Sequence, residues 1–89
     1  MLFLPNAASV IIFPIGNMEQ ITTPADIGAA VRRARKGAGL RQDDLAGLAG
    51  VGTRFLIELE AGKPTLRLDK LLAVLATLGI ELHIDGAPE

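Results

Sequence analysis

The sequence contains no cysteine, tryptophan or tyrosine, and it has one serine, Ser9, and one histidine, His83. The absence of cysteine excludes disulfides, thiol nucleophiles and thiolate metal sites, and it favours a cytoplasmic protein. Three phenylalanines are too few to predict a stacking platform for single-stranded nucleic acid. Neither Ser9 nor His83 has a sequence neighbour suited to acid–base catalysis, so we predict no enzyme, no cofactor and no metal site.

Charged residues are absent before Glu19, in the stretch MLFLPNAASVIIFPIGNM. This stretch lacks the basic residues of a signal peptide, and its prolines interrupt apolar runs that fall short of the roughly 20 residues of a membrane span. We therefore expect no membrane partner. Two structures fit residues 1–20: the run SVIIFPI forms a strand at a sheet edge, or the segment is a disordered extension upstream of a natural start at Met18.

The charge of the protein is distributed unevenly along the chain. The formal net charge of the 89 residues is −1. Between Pro24 and Arg67, however, eight Lys and Arg stand against five Asp and Glu, which gives +3, and the remaining residues carry −4. This distribution permits a local basic face on a small domain that is acidic as a whole.

Four helices are predicted between Ile21 and Gly79. Thr23 as N-cap, Pro24 at the first helical position and Asp26 at the third mark the start of the first helix. Glycines mark the helix ends, at Gly37 with Gly39, Gly50, Gly62 and Gly79. The expected ranges of the second, third and fourth helices are about Gln42 to Ala49, Gly52 to Ala61 and Leu66 to Leu78.

The apolar spacing also predicts which sides of these helices are buried. In the first helix, a group of basic residues is expected to form a solvated face: Arg32, Arg33, Arg35 and Lys36. In the fourth helix, the leucines are expected to share the inner side: Leu68, Leu71, Leu72, Leu75 and Leu78.

After Gly79 the apolar period changes from that of a helix to that of a strand. Ile80, Leu82 and Ile84 alternate with polar residues, which predicts a half-buried strand within residues 80–89. A single strand needs a partner for its backbone groups. The partner is either the N-terminal apolar run or the same strand of a second subunit, and in the second case these three residues are dimerisation residues.

The segment GVGTRFLIELEAGKPT, from Gly50 to Thr65, is apolar enough for a core helix, but it begins with two glycines followed by Thr53 and Arg54. A purely buried helix does not need such residues at its start. Two short helices joined through Gly50 form a helix-turn-helix arrangement, in which the second helix enters the DNA major groove with its N-terminus first. Gly50 permits the tight turn. Thr53 and Arg54 would then be the first side chains to reach base edges, while the apolar residues behind them hold the helix against the domain.

The sequence at this point resembles the Xre/Cro-type helix-turn-helix regulators related to phage repressors. The resemblance rests on Q-x-x-L-A from Gln42, G-V from Gly50 and L-x-x-L-E-x-G-K from Leu56. With the leucine-rich helix and the terminal ELHI, it narrows to antitoxins of the HipB type and covers about Ile21 to Ile84. It implies a mainly α fold: a lambda-repressor-like bundle of about four helices over residues 21–79, with a C-terminal β-strand that pairs across a dimer.

The resemblance also implies roles for individual residues. The base-reading positions are Thr53, Arg54, Ile57 and Glu58. The phosphate-binding positions are Arg41, Gln42, Gly52, Lys63 and Arg67. Gln42 would also brace the recognition helix. Apart from the resemblance, we expect Glu60 to be a structural residue that ties that helix to the first one by hydrogen bonds or charge, rather than a catalytic acid. Arg41 stands where the family often has a Ser or Thr cap, so it implies poorer capping and one more positive charge.

The function implied by the resemblance is that of a homodimeric transcriptional repressor. It would bind double-stranded DNA at a palindromic operator and act as the antitoxin of a HipBA-like operon, with a HipA-like kinase as its toxin partner. The alternative is a protein-interaction module that holds a toxin with little or no DNA binding.

Overall fold

A computed structural model describes residues 9–13 and 19–85 of the chain, with side chains described for residues 19–84. Three short strands and four helices follow one another in this part of the chain. They are β1 (Ser9–Phe13), β2 (Glu19–Ile21), α1 (Pro24–Gly37), α2 (Gln42–Ala49), α3 (Thr53–Glu60), α4 (Leu68–Thr77) and β3 (Glu81–Asp85). The mainly helical fold with a short C-terminal strand confirms the fold class predicted from the sequence. Within the described ranges, no helix has both the length and the apolarity needed to cross a membrane.

The start of α1 is a capping box, as predicted. The Thr23 hydroxyl accepts a hydrogen bond from the Asp26 amide at 3.2 Å, and the Asp26 carboxylate accepts one from the Thr23 amide at 3.1 Å. Asp26 also accepts from the amide of Thr22 at 3.0 Å, and this bond is the main reason that the pKa of Asp26 is lowered. Pro24, which has no amide hydrogen to satisfy, occupies the first helical position.

The helix ends also follow the sequence. A glycine with positive φ comes shortly after each helix, with φ between 71° and 84°: Gly39, Gly50, Gly62 and Gly79. Reversal of the chain at these glycines packs the four helices around one apolar core. The side chains with the least exposure come from all four of them: Val31, Leu45, Leu56, Leu59, Val74 and Leu75.

The inner side of α4 differs from the one predicted. Leu68 is 63% exposed and Leu72 is 44% exposed, whereas Val74 is fully buried. The observed inner positions are Leu71, Val74, Leu75 and Leu78. The predicted and observed sets of residues both have helical spacing. Which set is buried depends on how α4 is rotated about its own axis where it packs against α2, and the spacing of apolar residues does not predict that rotation.

The three strands form one antiparallel sheet in the order β2-β1-β3. Val10 of β1 lies opposite Ile21 on one side and Ile84 on the other. Of the two partners that the sequence allowed for β3, the N-terminal apolar run is therefore the one present within the chain. β1 is the central strand rather than an edge strand, because Glu19–Ile21, which the sequence analysis did not predict as a strand, pairs with its other side.

A glycine on α1 allows α3 to approach closely. Gly28 is buried, and a Cβ atom added there would meet the backbone oxygen of Leu59 and lie 2.9 Å from that of Glu60. Such distances are shorter than real Cβ contacts. The backbone of α1 therefore lies directly against the C-terminal end of α3.

We predict that Gly28→Ala lowers the free energy of unfolding by about 1–3 kcal/mol, because the added methyl group overpacks the contact between α1 and α3. Gly47→Ala is the matched control, since Gly47 also lies inside a helix but nothing lies within 4 Å of an added Cβ. That change is expected to add about 0.5–1 kcal/mol. Urea unfolding followed by circular dichroism measures both, and equal stabilities of the two variants would contradict the close approach.

Candidate nucleic-acid interface

The turn between α2 and α3 gives the recognition helix its direction. Gly50 has φ of 73°, in the left-handed region that costs glycine little, and the amide of Val51 donates back to the carbonyl of Ala46 at 3.0 Å. Val51 packs against the core. Gly52 follows in extended conformation as the N-cap of α3, without a side chain to cover the first amides. The tight turn predicted at Gly50 is confirmed.

The N-terminal part of α3 projects away from the rest of the subunit. The side chain of Arg54 is 90% exposed, Thr53 is exposed, and Ile57 is 47% exposed. On the opposite side of the same helix, Leu56 and Leu59 are buried. The four residues predicted to read bases therefore include three exposed ones, and the fourth, Glu58, is half-buried with 32% of its side chain exposed.

Phe55 is part of the support behind this surface. It is half-buried against the core, and the ammonium group of Lys70 on α4 lies 5.9 Å from the centre of its ring. Its ring packs towards α4 and the core, so Phe55 contributes to holding α3 in place.

A buried ion pair anchors the other end of α3. Arg35 Nε donates to Glu60 Oε2 at 2.6 Å, and Arg35 Nη2 donates to Glu60 Oε1 at 2.9 Å. Arg35 Nη1 donates to the carbonyl of Leu40 at 2.9 Å, and the hydrogen bonds to Glu60 raise the pKa of Arg35. The expectation that Glu60 ties the recognition helix to the first helix is confirmed. The expectation that Arg35 belongs to a solvated face is wrong, because this residue is only 7% exposed.

Gln42 joins the same cluster from α2. Its side-chain amide donates to Glu60 Oε1 at 3.1 Å, so it contacts the recognition helix in the way that the resemblance implied. Together these bonds satisfy the Glu60 carboxylate, and the described residues contain no buried side-chain polar atom without a partner. A contact between Gln42 and a DNA phosphate stays a prediction.

The positively charged residues predicted to meet DNA each lie beside a carboxylate. Arg41 lies 3.6 Å from Asp43 and 3.5 Å from Asp44, and Arg67 lies 2.6 Å from Asp69. The hydrogen bond from Arg67 lowers the pKa of Asp69. These partners are two or three residues apart in the sequence, so they could have been found from the spacing. A further pair of contacts joins Arg54 and Lys63 to the same acid, Glu58, at 3.6 Å and 3.3 Å.

The start of α2 is better capped than the resemblance suggested. Arg41 offers no side-chain acceptor, but its amide donates to the Asp44 carboxylate at 3.0 Å. This hydrogen bond is the main cause of the lowered pKa of Asp44. Half of a capping box is thereby present, and the guanidinium group of Arg41 stays at the surface with 78% of the side chain exposed.

The three residues predicted for dimerisation occupy different environments. Ile80 is 5% exposed and belongs to the core of its own subunit, and it precedes β3. Leu82 is half-buried against that core, whereas Ile84 is 74% exposed. Of these side chains, Ile84 is the one most accessible to a second subunit. Pairing of β3 with a second subunit stays a prediction.

Comparisons with known proteins agree with this geometry. The family model described as "Helix-turn-helix" matches residues 31–84. An uncharacterized HTH-type transcriptional regulator, y4mF of Sinorhizobium fredii (strain NBRC 101917 / NGR234), is 61% identical over 66 residues, which cover 74% of this chain and 87% of that protein. The chain therefore belongs to the helix-turn-helix family.

Two solved structures have a similar fold. The restriction-modification controller protein C.AhdI from Aeromonas hydrophila is 29% identical, with a TM-score of 0.60 over 65% of this chain and 88% of that one. A chain of the HipA-HipB-O2-O3 complex is 21% identical, with a TM-score of 0.63 over 68% of this chain and 86% of that one. The helix-turn-helix regulator predicted from the sequence motifs is confirmed, and the likeness to the chain of the HipA-HipB-O2-O3 complex shows a shared fold.

We predict that Arg35→Met and Glu60→Leu each lower the free energy of unfolding by about 3 kcal/mol or more, because each leaves a buried charge without its partner. The double variant should recover most of that loss, since two apolar side chains replace the pair. Urea unfolding of the three variants and the wild type measures the coupling. Additive losses in the double variant would show that the two side chains do not act as a pair.

Proposed function

We propose that the protein is a dimeric, sequence-specific DNA-binding repressor that inserts the N-terminus of α3 into the major groove. The observation that carries this proposal is the exposed front of α3, where the Arg54 side chain is 90% exposed while the back of the helix is buried and anchored through Glu60. A helix presented in this way can enter a groove without rearrangement of the domain.

The base contacts follow from the chemistry of the exposed residues. Arg54 can donate two hydrogen bonds to O6 and N7 of a guanine, and Thr53 can bond to a neighbouring base. Ile57, which is 47% exposed one turn further along, offers an apolar contact to a thymine methyl group. Glu58 can accept a hydrogen bond from the amino group of a cytosine.

The phosphate contacts would come from residues at both ends of the helix-turn-helix unit. Arg41, Gln42 and the amide of Gly52 lie at or before the helix N-termini, and Lys63 and Arg67 follow α3. Arg41, Lys63 and Arg67 each have a carboxylate nearby, so a phosphate must replace or join that carboxylate. We expect about six phosphate contacts per dimer and a salt slope near −5 in log affinity against log salt.

Dimerisation would bring two such helices onto one operator. The outer edge of β3 has no partner strand in the part of the chain that the structure describes, so it can pair with β3 of a second subunit. Two-fold symmetry would place the recognition helices in successive major grooves about 34 Å apart, on a palindromic site.

The proposed biological role is that of the antitoxin in a HipBA-like operon, in the cytoplasm, with a HipA-like kinase as the toxin. The motifs at the end of α3 and the fold shared with a chain of the HipA-HipB-O2-O3 complex support this proposal. Co-purification with the product of a neighbouring kinase-like gene is its direct test. The alternative is a module that binds a toxin with little or no DNA binding.

The readout by Arg54 is tested by fluorescence anisotropy with two duplexes, one from the region upstream of the gene and one with the same bases scrambled. We predict that the wild type prefers the upstream duplex. Arg54→Ala should cost about 1–3 kcal/mol per half-site on that duplex and much less on the scrambled one. Lys63→Ala should weaken binding to both by a similar factor, because a phosphate contact carries no sequence information.

Arg33→Ala is the charge-matched control for these variants. Arg33 is an exposed arginine of α1 that pairs with Glu19, outside the helix-turn-helix unit. The Arg33→Ala variant should bind the upstream duplex and the scrambled duplex with nearly the same affinities as the wild type at physiological salt. Equal losses on the two duplexes for Arg54→Ala would refute base reading, and no binding of the wild type to either duplex would favour the interaction module.

The dimer is tested by Ile84→Lys, which places like charges near the two-fold axis of the proposed strand pair. Because Ile84 is 74% exposed, we expect the subunit to remain folded and the dimer to dissociate at micromolar concentration. Leu48→Lys on α2, where Leu48 is 66% exposed, is the matched control and should stay dimeric. Sedimentation velocity measures both, and a dimeric Ile84→Lys variant would place the interface elsewhere.

A further inference from the structure

One acidic side chain lies between two of the cations proposed to contact DNA. Glu58 Oε2 is 3.6 Å from Arg54 Nε, and Glu58 Oε1 is 3.3 Å from Lys63 Nζ. The Arg54 and Lys63 side chains are 90% and 44% exposed, so both are accessible to solvent while they are paired. The carboxylate of Glu58 therefore neutralises part of the positive charge of two residues at once, the proposed base-reading Arg54 and the proposed phosphate-binding Lys63.

Local geometry creates this arrangement. Arg54 and Glu58 are four residues apart on α3 and therefore lie on the same side of the helix, one turn from each other. Beyond the helix, Gly62 has φ of 84°, and the chain turns so that the amide of Lys63 donates to the carbonyl of Glu58 at 3.1 Å. Lys63 is thus held at Glu58 by its backbone as well as by its side chain.

We propose that Glu58 is a specificity-determining residue that weakens binding to non-cognate DNA, an inference that rests on the proposed DNA-binding function. On a non-cognate duplex, Arg54 and Lys63 must leave Glu58 to reach phosphates, and the freed carboxylate then faces a dense row of like charges. On a cognate duplex, the carboxylate accepts a hydrogen bond from a cytosine amino group, which offsets the loss of both ion pairs.

The size of the effect follows from ordinary surface electrostatics. Exposed ion pairs contribute modestly, so the release of two of them should change the affinity for a scrambled duplex by roughly twofold to tenfold. Because the effect acts through cations that become available to phosphates, it must also change the salt dependence. Each additional phosphate contact makes the slope steeper by about 0.9.

The test compares Glu58→Gln with the wild type on the upstream and scrambled duplexes, by anisotropy over a series of salt concentrations. We expect the variant to bind the scrambled duplex roughly twofold to tenfold more tightly, with a steeper salt slope. The affinity of the variant for the upstream duplex should rise less or should fall. The ratio of the affinity for the upstream duplex to the affinity for the scrambled duplex should therefore be lower than in the wild type.

Glu19→Gln is a closely matched control. It makes the same change in net charge, Glu19 also pairs with an arginine, and its side chain is 31% exposed, against 32% for Glu58. Because Glu19 lies on β2, outside the helix-turn-helix unit, its variant should bind both duplexes as the wild type does. A gain on the scrambled duplex equal to that of Glu58→Gln would mean that net charge alone is responsible, and it would overturn the proposal.

A second comparison tests the role of Glu58 separately from the proposed DNA-binding function. If Glu58 acts through Arg54, then Glu58→Gln should have a smaller effect in an Arg54→Gln background than in the wild type. Unchanged affinity and salt slope on the scrambled duplex, with the wild type still preferring the upstream duplex, would overturn only the role of Glu58. Failure of the wild type to bind either duplex would overturn the proposed function and this inference together.

Discussion

The ion pair between Arg35 and Glu60 is the constraint on which the orientation of the recognition helix depends. Glu60 is the last residue of α3, and its carboxylate receives hydrogen bonds from Arg35 of α1 and Gln42 of α2. A buried pair of this kind contributes little net stability, but it strongly disfavours arrangements that separate its members. With the C-terminal end of α3 held at this point and Gly28 allowing close approach, the N-terminal end is left to project from the domain.

The cations proposed to contact DNA each lie beside an acidic residue. This arrangement explains how a protein with a negative net charge can have the proposed DNA-binding function. Arg41, Arg54, Lys63 and Arg67 all lie within 4 Å of a carboxylate. Such exposed pairs are weak and are screened by salt, so they can exchange a carboxylate for a phosphate at little cost. A protein with a net charge of −1 can therefore present a DNA-binding face whose non-specific attraction is limited.

Most of the helical fold could be predicted from the sequence because its boundaries depend on local chemistry. The capping box at Thr23 and the glycines after each helix act through neighbours a few residues away, and the helix bounds observed differ little from those expected. The motif around Gly50 likewise identified Thr53 and Arg54, which the structure places at the exposed front of α3.

The parts that were missed depend on contacts between distant residues. Arg35 lies four residues after the buried Val31 and therefore on the buried side of α1, whereas Arg33 lies on the opposite side. Burial of the charged Arg35 also requires Glu60, which is 25 residues further along the chain. The exposure of Leu68 and Leu72 depends on the rotation of α4, and β2 is a strand because β1 lies beside it. Sequence periodicity identifies an amphipathic element, but it does not specify the partner against which that element packs.

We propose that the front of α3, which is held in place from its C-terminal end, is the surface that meets DNA. Titration of the ¹⁵N-labelled protein with the upstream duplex, followed by amide chemical shifts, tests it most directly. We predict that the largest changes in chemical shift occur at the amides of Thr53, Arg54 and Lys63, while the amide signals of Glu19–Ile21 on β2 keep their positions. Changes concentrated on the sheet, with the amides at the start of α3 unaffected, would contradict it.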